Sequence, residues 1–177
     1  MIKMHKVERN DAPDGLDKKN NEWRKKITKT STVDVNSEWT KFRKTKLGKK
    51  TVQSVIEMYA GCCMYCEGEI GTVAYEQVEH FRPKSKFPEL CFEYSNLHLA
   101  CPKCNDLKGN KFEDDYIDPA ITDPRNHIKF VGWAANGKDD IGKTMIDLVG
   151  LNQPDRMKYR KKVYRDILER LNYIYIV

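Results

Sequence analysis

Two Cys-x-x-Cys pairs, Cys63/Cys66 and Cys101/Cys104, constrain this chain more than any other feature. Each pair forms a knuckle that offers two sulfurs, and two knuckles together supply the four thiolates of a closed tetrahedral zinc site. The fold must therefore bring residues 63–66 and 101–104 to one point. Two buried reduced pairs or a redox dithiol are the competing readings. A disulfide framework would need export, yet Met1–Lys6 contains no apolar run of signal-peptide length and no stretch approaches a membrane span. Zn²⁺ in a reducing, cytoplasmic setting is the expectation. Cys62 leaves one residue more before Cys66 than Cys63 does and is the poorer ligand, whereas Cys91 reads as a small core residue.

The stretch 67–100 between the pairs is longer than a simple zinc ribbon needs, which leaves room for a functional insertion. It contains Val78-Glu79-His80-Phe81-Arg82-Pro83 and Asn96-Leu97, and Asn105 follows the last cysteine directly. Phosphodiester hydrolysis needs an activated water, neutralised phosphate charge and a stabilised leaving oxygen. A neutral imidazole suits the first need near pH 7. A hard divalent cation on oxygen ligands suits the other two, and Glu79 and the amide oxygen of Asn105 are such ligands. Adjacent strand residues face opposite sides, so Glu79 and His80 share a site only where the strand ends or bends; Pro83 makes that feasible.

The run Glu79-His80-Phe81-Arg82-Pro83-Lys84-Ser85, then Asn96-Leu97, then Cys101-Pro102-Lys103-Cys104-Asn105-x-x-Lys108-Gly109 resembles the HNH endonuclease family with its ββα-metal fold. The resemblance implies that His80 is the general base and that Asn96 braces the loop and orients it. It implies that Asn105 is a ligand of a catalytic Mg²⁺ or Mn²⁺ in a His-Asn-Asn version of the motif. Glu79 stands where the family usually has Asp and is the second ligand. Arg82, Lys84 and Lys108 are expected to touch substrate phosphates.

The expected fold is α+β: a small zinc-stapled ββα-metal core flanked by helices. Three regions are expected: an N-terminal arm and basic helix over 1–48, the zinc-bound nuclease core over 49–115, and a loop-rich segment with a C-terminal helix over 116–177. Residues 1 to about 35 read as an irregular arm, with Trp23 and Ile27 as anchors. A helix capped by Ser37 and stopped at Gly48 carries Trp39 and Phe42, and a second, capped by Thr51, buries Val52, Val55, Ile56 and Tyr59 before Gly61. Short strands are expected within 70–81 and 92–99, and a short helix from Pro102 to Gly109. The span 111–152 reads as loop-rich, and a last helix from Pro154 presents Met157, Tyr164, Ile167, Leu168, Leu171 and Ile174. Tyr173–Val177 leave an apolar end.

A net charge of +6 permits a polyanionic partner without establishing one. The basic run Lys41, Arg43, Lys44, Lys46, Lys49 and Lys50 reads either as a solvated helix face or as a phosphate-tracking patch. Gly137-x-x-x-x-Gly142-Lys143-Thr144 matches a phosphate-binding loop, but too little chain follows for the parallel sheet that motif requires, and Asp139 and Asp140 would repel phosphate. Further segments, Asp118-Pro119…Asp123-Pro124…His127-Ile128-x-Phe130 and Leu148-x-Gly150-Leu151-Asn152, are similar to the HNH subunit of Septu-type and retron-linked anti-phage systems. That similarity implies nucleic acid as substrate, with DNA ahead of RNA, and an ABC/SMC-like ATPase subunit as partner. In the retron versions it also implies a reverse transcriptase and its RNA–DNA product. A stand-alone HNH restriction-type enzyme and a non-catalytic zinc module for nucleic acid are the alternatives. The latter would have no use for Glu79, His80 and Asn105 at these offsets.

Overall fold

The computed structural model describes residues 4–29, 33–71 and 75–174, with side chains as far as 171. Strand β1 (Gln77–His80) pairs antiparallel with β2 (Leu97–Ala100), setting Glu79 opposite His98 and His80 opposite Leu97. Every residue of β2 is buried, so this hairpin is covered on both faces. β2 runs straight into Cys101, which caps helix α4 (Pro102–Lys108): its sulfur accepts from the Cys104 N–H at 3.5 Å. Pro102 takes the first helical position, where a missing N–H costs nothing, and Gly109 ends the helix at φ +53°. Two strands and this short helix are the expected ββα core.

The N-terminal reading needs correction. Residues Leu16–Lys29 form a helix, α1, where an irregular arm was expected. Leu16, Asn20 and Trp23 make its buried face. Trp23 donates its indole N–H to Pro88 O (2.7 Å) and meets Phe92 edge-on at 5.2 Å. The polar composition of this segment hides a helical spacing of few but large anchors.

Helices α2 (Val35–Lys44) and α3 (Lys46–Met58) also start elsewhere than expected. Asp34, not Ser37, is the first cap, accepting from Asn36 N and Ser37 N at 3.0 and 3.1 Å. Thr45, not Thr51, is the second, accepting from Gly48 N at 3.0 Å. Gly48 lies inside α3 and is needed for close approach, since a Cβ there would sit 2.0 Å from Phe42 O. Thr51 is buried and donates to Leu47 O (3.0 Å). Val55 and Tyr59 are buried and Val52 and Ile56 pack against the core, as the stripe predicts.

The span 111–152 contains more structure than its turn signals suggest. Strands β3 (Ile128–Val131) and β4 (Ala134–Gly137) form a second antiparallel hairpin around Gly132 (φ +58°), followed by α5 (Asp140–Leu148). The phosphate-loop match falls between β4 and α5, yet its space is filled. Asp139 caps α5 through Gly142 N (2.8 Å), Lys143 pairs with Asp140, and a Cβ on Gly142 would meet His127 O at 2.1 Å. These glycines serve packing.

Helix α6 (Pro154–Ile174) begins as expected but turns a different face inward. Arg156 and Arg160 are buried, while Tyr164, Ile167, Leu168 and Leu171 are exposed. The side chains of 172–174 and all of 175–177 lie outside the described residues, and with them most of the expected apolar end. Among the described residues no helix is long and apolar enough to cross a membrane.

Candidate active site and metal centre

The two knuckles meet. The Sγ atoms of Cys63, Cys66, Cys101 and Cys104 lie within 4.8 Å of one another, with Cys66 and Cys101 at 3.9 Å. A tetrahedral zinc about 2.3 Å from each sulfur would space them about 3.8 Å apart, so the quartet can hold such an ion with little adjustment. The first knuckle is pinned by Met64 N donating to Leu99 O (2.8 Å) and Cys63 N to Gly68 O (3.0 Å), and Glu67 turns the chain back at φ +56°. The second is the start of α4. Hydrogen bonds from Cys104, Cys63 and Cys66 hold the Cys101 thiol well below the usual thiol range, as befits a group that binds metal as thiolate. Cys62 and Cys91 stand outside the quartet, and Cys91 is fully buried.

The second cluster forms where β1 ends. His80 is buried, with its ring edge-on to Trp39 of α2 at 4.6 Å. Its Nε2 lies 2.9 Å from Cys91 O. A carbonyl oxygen only accepts, so Nε2 carries the proton and Nδ1 the lone pair. Burial, and then the charge of Lys84, push the His80 pKa down to about 3, which keeps the imidazole neutral at any physiological pH.

Glu79 is buried on the opposite side of the strand. Its Oε1 accepts from the Tyr65 hydroxyl (3.4 Å) and pairs with the Lys108 ammonium, while no described residue engages its other oxygen. Lys108 is fully enclosed and also donates to His80 O (2.9 Å) and Phe81 O (2.7 Å). Burial pushes the Glu79 carboxyl up and the Lys108 ammonium down; their contact opposes both shifts. Asn105 Nδ2 donates to Gln77 Oε1 at 2.6 Å, which leaves the Asn105 carbonyl oxygen for a cation.

Asn96 closes the loop between the strands. Its Oδ1 accepts from Arg82 N (2.8 Å), and its Nδ2 donates to Arg82 O (3.0 Å) and Leu90 O (3.2 Å). This clamp turns the chain at Phe81–Arg82 and so ends β1 at His80. An open pocket of about 250 Å³ results, lined among others by Asn36, Glu79, His80, Lys84, Ser85 and Asn105.

A model of the HNH endonuclease family matches residues 63–111, from the first knuckle to just past α4. A retron Vc95 protein of Vibrio cholerae serotype O1 biovar El Tor, whose name assigns it to the HNH endonucleases, is 34% identical over 143 residues, covering 71% of this chain and 67% of that protein. The chain belongs to the HNH endonuclease family. The Septu protein PtuB of Bacillus thuringiensis is 36% identical over 138 residues, 76% of this chain and 51% of its own length. PtuB of Bacillus mycoides strain KBAB4 is 26% identical over 166 residues, 72% and 56% of the two chains. The chain thus spans about half the length of the PtuB relatives it matches.

Of the residues read from the HNH motif, Glu79, His80, Lys84 and Asn105 share the pocket, and Asn96 stands behind it. Arg82 and Lys108 do not line it. The Arg82 guanidinium lies over Phe112 (4.8 Å) and Phe87 (5.6 Å) and reaches Asp114 at 3.4 Å, on the flank. Lys108 is spent on the interior. Sequence reasoning missed Asn36, Trp39 as a neighbour of His80, Tyr65 and Gln77. Only Gln77 had a local signal, since it lies two residues before Glu79 on the same strand face. The basic residues of 41–50 are exposed on α2, which carries Trp39 against the His80 ring, and on α3.

Proposed function

We propose that the pocket at the end of β1 hydrolyses nucleic-acid phosphodiester bonds, with DNA ahead of RNA as substrate. The observation that carries this reading is the His80 tautomer. Cys91 O holds the proton on Nε2, so Nδ1 is an uncharged base on a residue that shares its pocket with Glu79 and Asn105. His80 takes a proton from water at Nδ1. Glu79 presents one oxygen while Tyr65 and Lys108 hold the other, and Asn105 presents its carbonyl oxygen while Gln77 holds its amide nitrogen. This donor set fits a hard cation, and a Mg²⁺ or Mn²⁺ bound there would neutralise the phosphate and stabilise the leaving 3′ oxygen. Lys84 at the rim supplies a positive contact for a flanking phosphate. The cysteine quartet is read as a structural Zn²⁺ site that sets the position of α4 against β1.

The kinship with PtuB and the retron Vc95 protein supports a role as the nuclease of an anti-phage defence system. In that role an ABC/SMC-like ATPase restrains or targets it, joined in retron systems by a reverse transcriptase and its RNA–DNA product. The exposed Ile167, Leu168 and Leu171 on α6 support a protein partner there.

The test is cleavage of single- and double-stranded DNA and RNA by the purified chain with Mg²⁺ or Mn²⁺. His80→Ala is expected to lower the rate by about 10²–10⁴ with fold and metal content unchanged. Near-normal cleavage by this variant, with contamination excluded, refutes the assignment.

A further inference from the structure

The cysteine quartet has a neighbour on a different element. Arg156, in the first turn of α6, is only 8% exposed. Among the described residues its Nε and Nη2 find no hydrogen-bond partner. Arg160, one turn later, shows the ordinary solution: its guanidinium donates to Trp133 O (2.8 Å) and to Leu151 O. Arg156 has no such carbonyls. Burial opposes its charge, yet the neighbouring sulfurs of Cys104, Cys66 and Cys101 hold its pKa above the ordinary value. A second contact holds the helices together beside it, the ion pair between Lys103 of α4 and Asp155 of α6.

A buried guanidinium with unused donors is costly unless an anion faces it. Four neutral thiols are poor acceptors and carry no charge. Four thiolates around a divalent ion carry a net charge of two minus, and each sulfur keeps lone pairs for N–H donors. Arg156 supplies one of the two missing positive charges and a planar fork of donors. Both needs are met only when the quartet is loaded.

We propose that Arg156 is the counter-cation of the tetrathiolate centre and that it makes the docking of α6 conditional on the bound metal. Coupling of this kind is reciprocal: metal favours docked α6, and docked α6 raises metal affinity. Partners that hydrogen-bond metal ligands typically account for 10–100-fold in affinity. Arg156 is a positioning residue and touches no substrate. The inference rests on the quartet being a thiolate metal centre, and the parent protein's metal content tests that premise separately.

The full chain is loaded with Zn²⁺ or Co²⁺ and titrated with a chromophoric chelator. About one ion per chain and a thiolate-to-cobalt absorption band in the parent establish the centre. Arg156→Met, which keeps the aliphatic packing and removes the charge, is expected to lose 10–100-fold in metal affinity. It is also expected to accelerate amide exchange across 154–162 in the metal-loaded protein, with the β3–β4 hairpin unchanged. Affinity within twofold of the parent overturns the proposal. Should that variant fail to fold, Arg156→Lys and Arg156→Gln decide: the lysine variant is expected to bind metal more tightly than the glutamine variant, and equal affinities overturn it.

Discussion

Lys108 stands where a surface reading of the motif sees a phosphate contact, and the structure assigns it a different task. Its ammonium is fully buried, pairs with Glu79 and donates to the carbonyls of His80 and Phe81. Lys108→Met keeps most of the volume and removes the charge. Breaking a buried pair by deleting one partner costs about 3–5 kcal/mol, because the other charge is left uncompensated. That is a large share of the roughly 5–15 kcal/mol that holds a domain together. At an m-value of about 2 kcal/mol/M, the urea midpoint should fall by about 2 M. Glu79→Gln in the same chain should recover part of the loss, since the orphaned carboxylate is then gone. A phosphate contact would behave in the opposite way. Stability would hold, and the slope of log affinity against log salt would shrink by about 0.9. A Lys108→Met protein that melts with the parent and shows that shallower slope refutes the buried-pair argument.

Lys84→Ala should show the shallower salt slope with an unchanged urea midpoint, because its side chain reaches the pocket rim and is only partly buried. Cys104→Ser should lower zinc content far below one per chain and melt the domain, whereas Cys91→Ala should keep full zinc and cost about 1 kcal/mol or so of packing, both read by metal analysis and urea titration. His80 is held neutral in the fold, with its pKa lowered to about 3, against roughly 6.5 in the unfolded chain. Its contribution is therefore complete above about pH 6.5 and is lost as pH falls towards 3, at up to about 1.4 kcal/mol per unit. His80→Asn should accordingly show a shallower loss of stability between pH 6.5 and 4.5 than the parent, and parallel curves would contradict the depressed pKa. Ile167→Asp with Leu171→Asp should leave the melting curve intact, because both side chains are about half exposed at 50% and 45%, while abolishing co-purification with the proposed ATPase partner. Retained co-purification moves the docking surface elsewhere.

The β1–β2 hairpin and α4 were legible because their chemistry is local. Cys101, Pro102 and Gly109 define α4 by cap, first-turn residue and terminator, and the cysteine spacing forces the knuckles together. The helix starts before Trp39 and Val55 were misplaced because several residues compete for each cap: Ser37 and Thr51 have the right chemistry, but Asp34 and Thr45 have the backbone geometry. The β3–β4 hairpin escaped notice because its strands, as short as β1 and β2, carry none of the cysteine and His-Asn spacing that marks that pair. Burial of Lys108, Arg156 and Arg160 was invisible for a different reason. A charged residue enters the core only when distant segments supply its partner, as Glu79 does for Lys108, the carbonyls of Trp133 and Leu151 do for Arg160, and the quartet is proposed to do for Arg156. No window of sequence contains both halves of such a pair.

Helix α4 is seven residues long, too short to persist on its own in water. It exists because its ends are held. Along it, Cys104 belongs to the cysteine quartet, Asn105 lines the pocket, and Lys108 reaches back to the end of β1. Two centres of unrelated chemistry thus hang on one pair of helical turns, and an injury to either is felt by both. An oxidant that captures the sulfurs of Cys101 and Cys104 would unwind the start of α4, withdraw Asn105 and release Lys108 from the carbonyl of His80. The proposed hydrolysis would stop although no atom of the His80 ring had been touched. Under the proposed function, cleavage would then be lost on oxidation and would return once the thiols were reduced.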